Sequence, residues 1–313
     1  MSATDGSPGP RPLPFVLGIV GDSGSGKSTV ARGVRALIGP EKVATLELDN
    51  YHRYTRAERA ERELTALNPR VHNLPLMQEH LHLLRRGRPI RNRSYDHSDG
   101  SFGPVRILEP REVVIARGLL GFPTEELSTA YDLAVFLNPE PELLFRWKLR
   151  RDVRVRGYSE TEVLKHIAHH LLDSKEFVLP QAERADLVVH YHIPEWDAPD
   201  SEVRVSLVLR RAAAEALRGE SVERFGGGVR MEEREGERMI HLEPDLSLDG
   251  VEAWAREGFP ATYSPEEVGT YSDGDGGAVR RAPLVFIQTL IARLTQRLRR
   301  VEELPAGASA GAG

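Results

Sequence analysis

The first group of residues able to do chemistry is a phosphate grip. Gly21-Asp22-Ser23-Gly24-Ser25-Gly26-Lys27-Ser28, followed by Thr29, fits the pattern G-x-x-x-x-G-K-[ST]. Glycines let a backbone curl until successive N–H groups face phosphate oxygens, and a helix N-terminus behind them adds partial positive charge. Lys27 is long enough to reach β- and γ-phosphates, and the Ser28 hydroxyl can ligate magnesium. The expected ligand is a nucleoside triphosphate, ATP with Mg2+, held by residues 21–29. The motif alone does not separate a kinase from a GTPase or an ATPase. No Asn-Lys-x-Asp sequence for reading guanine is present, which counts against a GTPase.

The second group is Leu46-Glu47-Leu48-Asp49-Asn50-Tyr51-His52. In an open parallel sheet the carboxyl ends of strands carry the site. A carboxylate at Asp49 could orient an alcohol and take its proton as a phosphoryl group is transferred.

The elements that must position these groups are legible as apolar runs. Residues 15–20, 43–48, 113–116, 133–137 and 187–189 read as buried strands, the first directly before the glycine loop. Helical spacing follows at 28–38, and helical stretches at 74–86, 141–155 and 160–172 lie between the later strands. Strands alternating with helices predict an α/β fold with a mostly parallel sheet covered on both faces. From about residue 196 the texture changes. Residues 203–210 alternate as a strand, and 229–233 with 238–242 suggest a hairpin. Leu284, Ile287, Ile291, Leu294 and Leu298 mark a closing amphipathic helix. The expected division is a core carrying the phosphate loop over 14–195 and C-terminal strands plus helix over 196–302, with disordered segments at 1–13 and 303–313. The turn at 272–277 carries carboxylates but lacks a twelve-residue calcium loop.

Composition narrows the class. The formal net charge of -5 and the lack of a basic stripe interleaved with aromatics disfavour a nucleic-acid module. There is no cysteine, which excludes disulfides and thiol redox control. No apolar run approaches the ~18 residues needed to span a bilayer, and no signal pattern opens the chain, so no membrane partner and a cytoplasmic location are expected.

The acceptor-side residues carry a more specific resemblance. Asp49-Asn50-Tyr51-His52, Arg56, Thr65-Ala66-Leu67-Asn68-Pro69 and Asn73 resemble the acceptor-binding stretch of the phosphoribulokinase/uridine kinase family of P-loop kinases, on its phosphoribulokinase side. So do Tyr95-Asp96-His97, Trp147-Lys148-Leu149-Arg150-Arg151-Asp152, Arg156-Gly157-Tyr158-Ser159, Pro180-Gln181 and Ala185-Asp186. The likeness is good over about 15–195 and weaker beyond. It implies a P-loop kinase three-layer sandwich extended by antiparallel strands, an oligomeric assembly, and ATP plus a small phosphorylated sugar as substrates. Asp49 is then the base acting on the 1-hydroxyl of ribulose 5-phosphate. His52, Arg56, Tyr95, His97 and Arg156 are sugar-phosphate contacts. Lys27, Lys148 and Arg151 are cations on the transferring phosphate, and Asp152 is an active-site carboxylate. Ser28, Asp49 and Asp152 form the magnesium environment.

The pattern also breaks. The third strand should end in Glu-Gly-Leu and here ends Arg117-Gly118-Leu119. Glu112 lies about five residues back, at the wrong end of the strand at ~3.3 Å per residue. His169-His170 stands where an Arg pair is usual, and with His166 offers a possible metal face. Leu179-Pro180-Gln181-Ala182 replaces a more basic run. A nucleoside kinase, and an ATP-binding protein with weakened or lost catalysis because of Arg117, remain as alternatives.

Overall fold

The run at 15–20 becomes strand β1, Phe15–Gly21, in which every residue is buried. A buried strand of this kind needs sheet neighbours on both edges and helices on both faces, and the chain supplies them in order. The glycine loop follows, then helix α1, Lys27–Ile38, and strand β2, Val43–Glu47. A 3-10 turn, Leu48–Tyr51, leads to the short helix α2, Arg56–Glu61, and to helix α3, Leu74–Arg85. Strands β3, Ile90–Tyr95, and β4, Phe102–Leu108, precede β5, Val113–Gly118. Next come α4, Glu125–Ser128; β6, Leu133–Pro139; α5, Pro141–Arg154; α6, Glu160–Asp173; and β7, Leu187–His192. The C-terminal third adds β8, Arg204–Leu209; α7, Arg211–Ala216; β9, Val229–Arg234; and β10, Glu237–Leu242. It closes with α8, Leu248–Gly258; β11, Thr270–Ser272; β12, Ala278–Arg280; and α9, Ala282–Glu303. This computed structural model describes residues 12–154, 156–272 and 277–303. The segments 1–13 and 303–313, apart from residues 12, 13 and 303, lie outside that range, as do the carboxylates of the 272–277 turn.

One eight-stranded sheet runs in the order β2-β5-β1-β6-β7-β8-β10-β9. The five apolar runs of the sequence are its five parallel strands, β2, β5, β1, β6 and β7. Of the strands after residue 203, β8 joins antiparallel against β7 and the β9–β10 hairpin against β8, while β11 and β12 pair with each other. The C-terminal third therefore widens the same sheet.

Alternation along the strands divides the core in two. Phe15, Leu17 and Ile19 of β1 face α1, α8 and α9, while Val16 and Val20 face the opposite layer with Leu81 and Leu84 of α3. Each such side chain fully removed from water contributes about 1.5–3 kcal/mol. The predicted amphipathic helix is α9, with Ile287, Ile291 and Leu294 buried against the first layer. It is fixed to α1 by Gln288, whose amide donates to the Thr29 carbonyl at 2.9 Å and accepts from the Gly269 N–H at 2.6 Å.

The hairpin before β5 departs from the expectation, as do β11 with β12 and helix α8. β3 and β4 pair antiparallel as a separate two-stranded sheet where no strand was expected. The interior of β3 is Arg91-Asn92-Arg93-Ser94, and only Ile90 and Tyr95 at its ends are buried. Periodicity cannot reveal a strand with so little apolar surface.

Candidate active site

The carboxyl ends of the parallel strands open into a cleft of about 1140 Å³. Ser23, Gly24, Ser25, Gly26, Lys27, Ser28 and Thr29 line it, and Gly21 and Asp22 lie beneath. Gly24 and Gly26 have φ of 91° and 92°, left-handed values that a side chain would strain, so the loop can turn its amides toward one point. Lys27 donates to the carbonyls of Gly21 at 2.9 Å and Asp22 at 2.7 Å. Burial lowers its pKa to about 8, against the pull of Asp49 and Asp22. Asp22 is a support: its carboxylate accepts from the Ser174 hydroxyl at 2.5 Å and lies 3.9 Å from the Lys148 Nζ.

Asp49 sits in the 3-10 turn directly after β2. Its Oδ2 is 3.4 Å from His97 Nε2, and its Oδ1 is buried without a hydrogen-bond partner. His52 is buried, stacked on Tyr95 with ring centroids 4.7 Å apart and edge-on to His72 at 4.4 Å. Burial pushes the His52 pKa far down, so this ring is a neutral hydrogen-bonding group and supplies no charge. Arg59 donates to the Tyr95 hydroxyl at 2.7 Å, and Arg56 donates to the His97 carbonyl at 2.6 Å and the Tyr158 hydroxyl at 3.3 Å. The start of α2 is fixed by a capping box between Thr55 and Glu58, which sets where Arg56 and Arg59 point. Arg53, by contrast, turns to the His72 carbonyl at 3.1 Å, away from the cleft lining.

Helix α5 does not present a solvated basic face. Lys148 and Asp152 are two of its buried residues, with 6% and 5% exposure, and the stripe they form lines the cleft. Arg151 donates to Asp152 Oδ1 at 2.8 Å and to the Ser23 hydroxyl at 3.1 Å, and Arg156 lies 3.3 Å from the same Asp152 oxygen. Burial lowers the Lys148 pKa.

His166, His169 and His170 also line the cleft, but among the described residues no three His, Asp or Glu side chains converge as a metal site. His170 keeps an unpartnered buried Nδ1, and burial lowers its pKa to about 4. Gln181 and Asp186 are scaffold. The Gln181 side chain accepts from the N–H groups of Gly121 and Phe122, and Asp186 accepts from that of Ala134.

Glu47, not singled out from the sequence, lines the cleft as well. It lies opposite Arg117 in the β2–β5 register, and Arg117 Nε and Nη2 reach its Oε1 at 2.7 and 2.6 Å. Burial pushes the Glu47 carboxyl up, and Arg117 opposes it. Strand register between two distant segments was the missing signal. Glu112 stands at the far end of β5, 3.0 Å from Arg299.

A strand, an amide loop and a helix, with charged side chains at the strand ends, define a P-loop kinase fold. Residues 16–196 match the model of the Phosphoribulokinase / Uridine kinase family, and the chain belongs to that family. It is 34% identical over 198 residues to a phosphoribulokinase of Synechocystis sp., covering 62% of this chain and 59% of that protein. It is 30% identical over 181 residues to a uridine kinase of Geobacillus kaustophilus, covering 56% of this chain and 85% of that protein. The solved phosphoribulokinase from Rhodobacter spheroides shares the fold at a TM-score of 0.59 and 17% identity, over 91% of this chain and 99% of that one. The chain thus spans about three fifths of the length of the Synechocystis relative. Among the described residues no helix is long and apolar enough to cross a membrane.

Proposed function

We propose that this chain transfers the γ-phosphate of ATP to a hydroxyl of a small phosphorylated sugar, the 1-hydroxyl of ribulose 5-phosphate being the acceptor of choice, in the cytoplasm. The observation that carries this reading is the unpartnered Oδ1 of Asp49, buried in a cleft with an amide loop on one side and Arg56, Arg59 and Arg156 on the other. Buried polar atoms rarely go unpaired, and an orphaned carboxylate oxygen beside a phosphate loop suits a substrate hydroxyl. Ser25 Oγ, His52 Nδ1 and His170 Nδ1, also orphaned, belong to the same lining.

The amides of 23–28 and Lys27 hold the triphosphate, with Gly21, Asp22 and Thr29 shaping the loop. The apolar end at Trp147, Tyr191, Val203 and Leu246 suits the base. Asp49 orients the acceptor hydroxyl and takes its proton. Lys148 and Arg151 stabilise charge on the transferring group, where one fixed donor is worth about 2.7–4 kcal/mol. Arg56 and Arg156, with Tyr95, His97 and the neutral His52, fix the sugar phosphate through forked contacts. Ser28 and Asp49 carry oxygen donors suited to magnesium, which supplies neutralisation of phosphate charge. Asp152 is committed to Arg151 and Arg156 and steers those cations.

An assay of ADP release across pentose phosphates and nucleosides tests this. Ribulose 5-phosphate should be turned over, and Asp49→Asn should lower kcat by about 100- to 10,000-fold with little change in KM for ATP. Turnover of uridine instead would make the chain a nucleoside kinase. Tight ATP binding without ADP release toward any acceptor would make it a nucleotide-binding protein without catalysis.

A further inference from the structure

The Glu47–Arg117 pair is a charged group that the scheme above leaves unused. Arg117 shares its sheet face with Val113 and Ile115, the face that packs on α1, and Glu47 shares that face with Val43. Both therefore emerge at the strand ends beneath the N-terminus of α1, where Lys27, Ser28 and Thr29 begin the helix. Arg117 is only 24% exposed and is close enough to Lys27 to oppose its protonation. Its Nε donates to Glu47 Oε1, and its Nη2 lies 2.6 Å from the same oxygen, so that at most one Nη2 hydrogen is directed there. A guanidinium has five donor hydrogens in a rigid plane, so at least three remain, and among the described residues no other acceptor is hydrogen-bonded to them. A half-buried cation clamped by a carboxylate on the adjoining strand has a fixed direction, which distinguishes it from a mobile surface arginine.

We infer that Arg117 is a built-in phosphate-contacting cation, positioned by Glu47, that does at the end of β5 part of the neutralising work a divalent ion would otherwise do. The inference rests on the nucleotide-binding reading of residues 21–29. Its consequence is that ATP without magnesium binds this chain with an unusually small loss of affinity. With a carboxylate also at the end of β5 the metal-free tetra-anion would meet uncompensated like charge; here Arg117 offsets the Glu47 carboxylate and keeps further donors of its fork for phosphate. Its pairing with Glu47 holds the guanidinium at the strand end.

Calorimetric titration separates the possibilities, with ATP in excess chelator and with ATP plus magnesium chloride, on wild type, Arg117→Met, Arg117→Lys and Lys27→Met. Thermal melts serve as a folding control. The ratio of metal-free to magnesium-loaded dissociation constants should rise by about tenfold or more in Arg117→Met, the scale of one lost charge-assisted contact. Magnesium-loaded binding should change less than about threefold. Arg117→Lys keeps the charge but lacks the fork, so the ratio should rise by a smaller factor. It provides the same test if the methionine variant does not fold. A ratio unchanged in whichever of these variants melts like the wild type overturns the inference and leaves the pair as a strand-to-strand clasp. Lys27→Met should lose ATP in both forms. If it binds ATP like the wild type, the phosphate-loop reading itself fails. If it loses ATP while the Arg117 variants keep the wild-type ratio, only the present inference fails.

Discussion

At the scale of single residues, the environment of Lys27 makes a prediction about pH. Burial lowers its pKa to about 8, so the ammonium form is already losing its proton just above neutrality. A bound triphosphate favours the charged form and raises that pKa. Nucleotide binding should therefore take up protons, and affinity should fall as pH rises from about 8, by up to about tenfold per unit while the bound form stays protonated. Titration calorimetry in two buffers of different ionisation enthalpy measures the uptake; zero proton uptake at pH 8.5 would contradict it. The phosphate loop was legible because its chemistry is contiguous: eight neighbouring residues carry both the turn and the ligand groups. Asp49 could be placed at a strand end from the sheet pattern, whereas Tyr95 and Asp152, which line the same cleft from segments far apart in the chain, could be grouped with it only by resemblance. Glu47 was missed because its meaning lies in pairing with Arg117, 70 positions away. Residue type alone does not give a charge state: histidine at position 52 is buried and neutral.

At the scale of elements, the parallel strands announced themselves through buried apolar runs, and the closing helix through its spacing. The β3–β4 hairpin did not, because arginines fill its interior and its packing is local: Arg93 lies over the Phe102 ring, 3.4 Å from its centroid. The tie between α1 and α9 was equally hidden. Gln288 is fully buried, and a Cβ added at Gly33 would meet its amide carbon at 2.2 Å, so the two helices approach closely around this one polar group. Gln288→Ala leaves the Gly269 N–H and the Thr29 carbonyl without their partner, at about 1–3 kcal/mol for each group left buried and unpaired. Urea denaturation should show that loss. Because Thr29 belongs to the first turn of the phosphate-loop helix, ATP affinity in the folded variant should weaken along with stability.

At the scale of the whole molecule, buried histidines set the acid limit of stability. His52, His72 and His170 all have pKa values lowered by burial from 6.5, His170 to about 4. Below pH 6.5 the unfolded chain takes up protons that the folded chain refuses, so stability is full above that value and declines as pH falls toward the folded pKa values. Melting temperature should drop between pH 7 and 5, and His170→Gln should flatten its share of that slope. A melting temperature that is level across this range would refute the assignment. The sheet itself joins both parts of the chain, since β8 pairs directly with β7.

The hairpin that carries Tyr95 belongs to a different sheet from the strand that carries the glycine loop. Its backbone reaches the Asp49 turn through single bonds, such as Tyr95 N–H to the Asn50 side chain at 2.8 Å, and not through a shared ladder. Substitutions there can reshape what is offered to Asp49 without disturbing the register that aims the amides. Divergence among descendants of such a chain should then run along the hairpin and α2, with new alcohols recruited while the appetite for nucleotide is inherited intact.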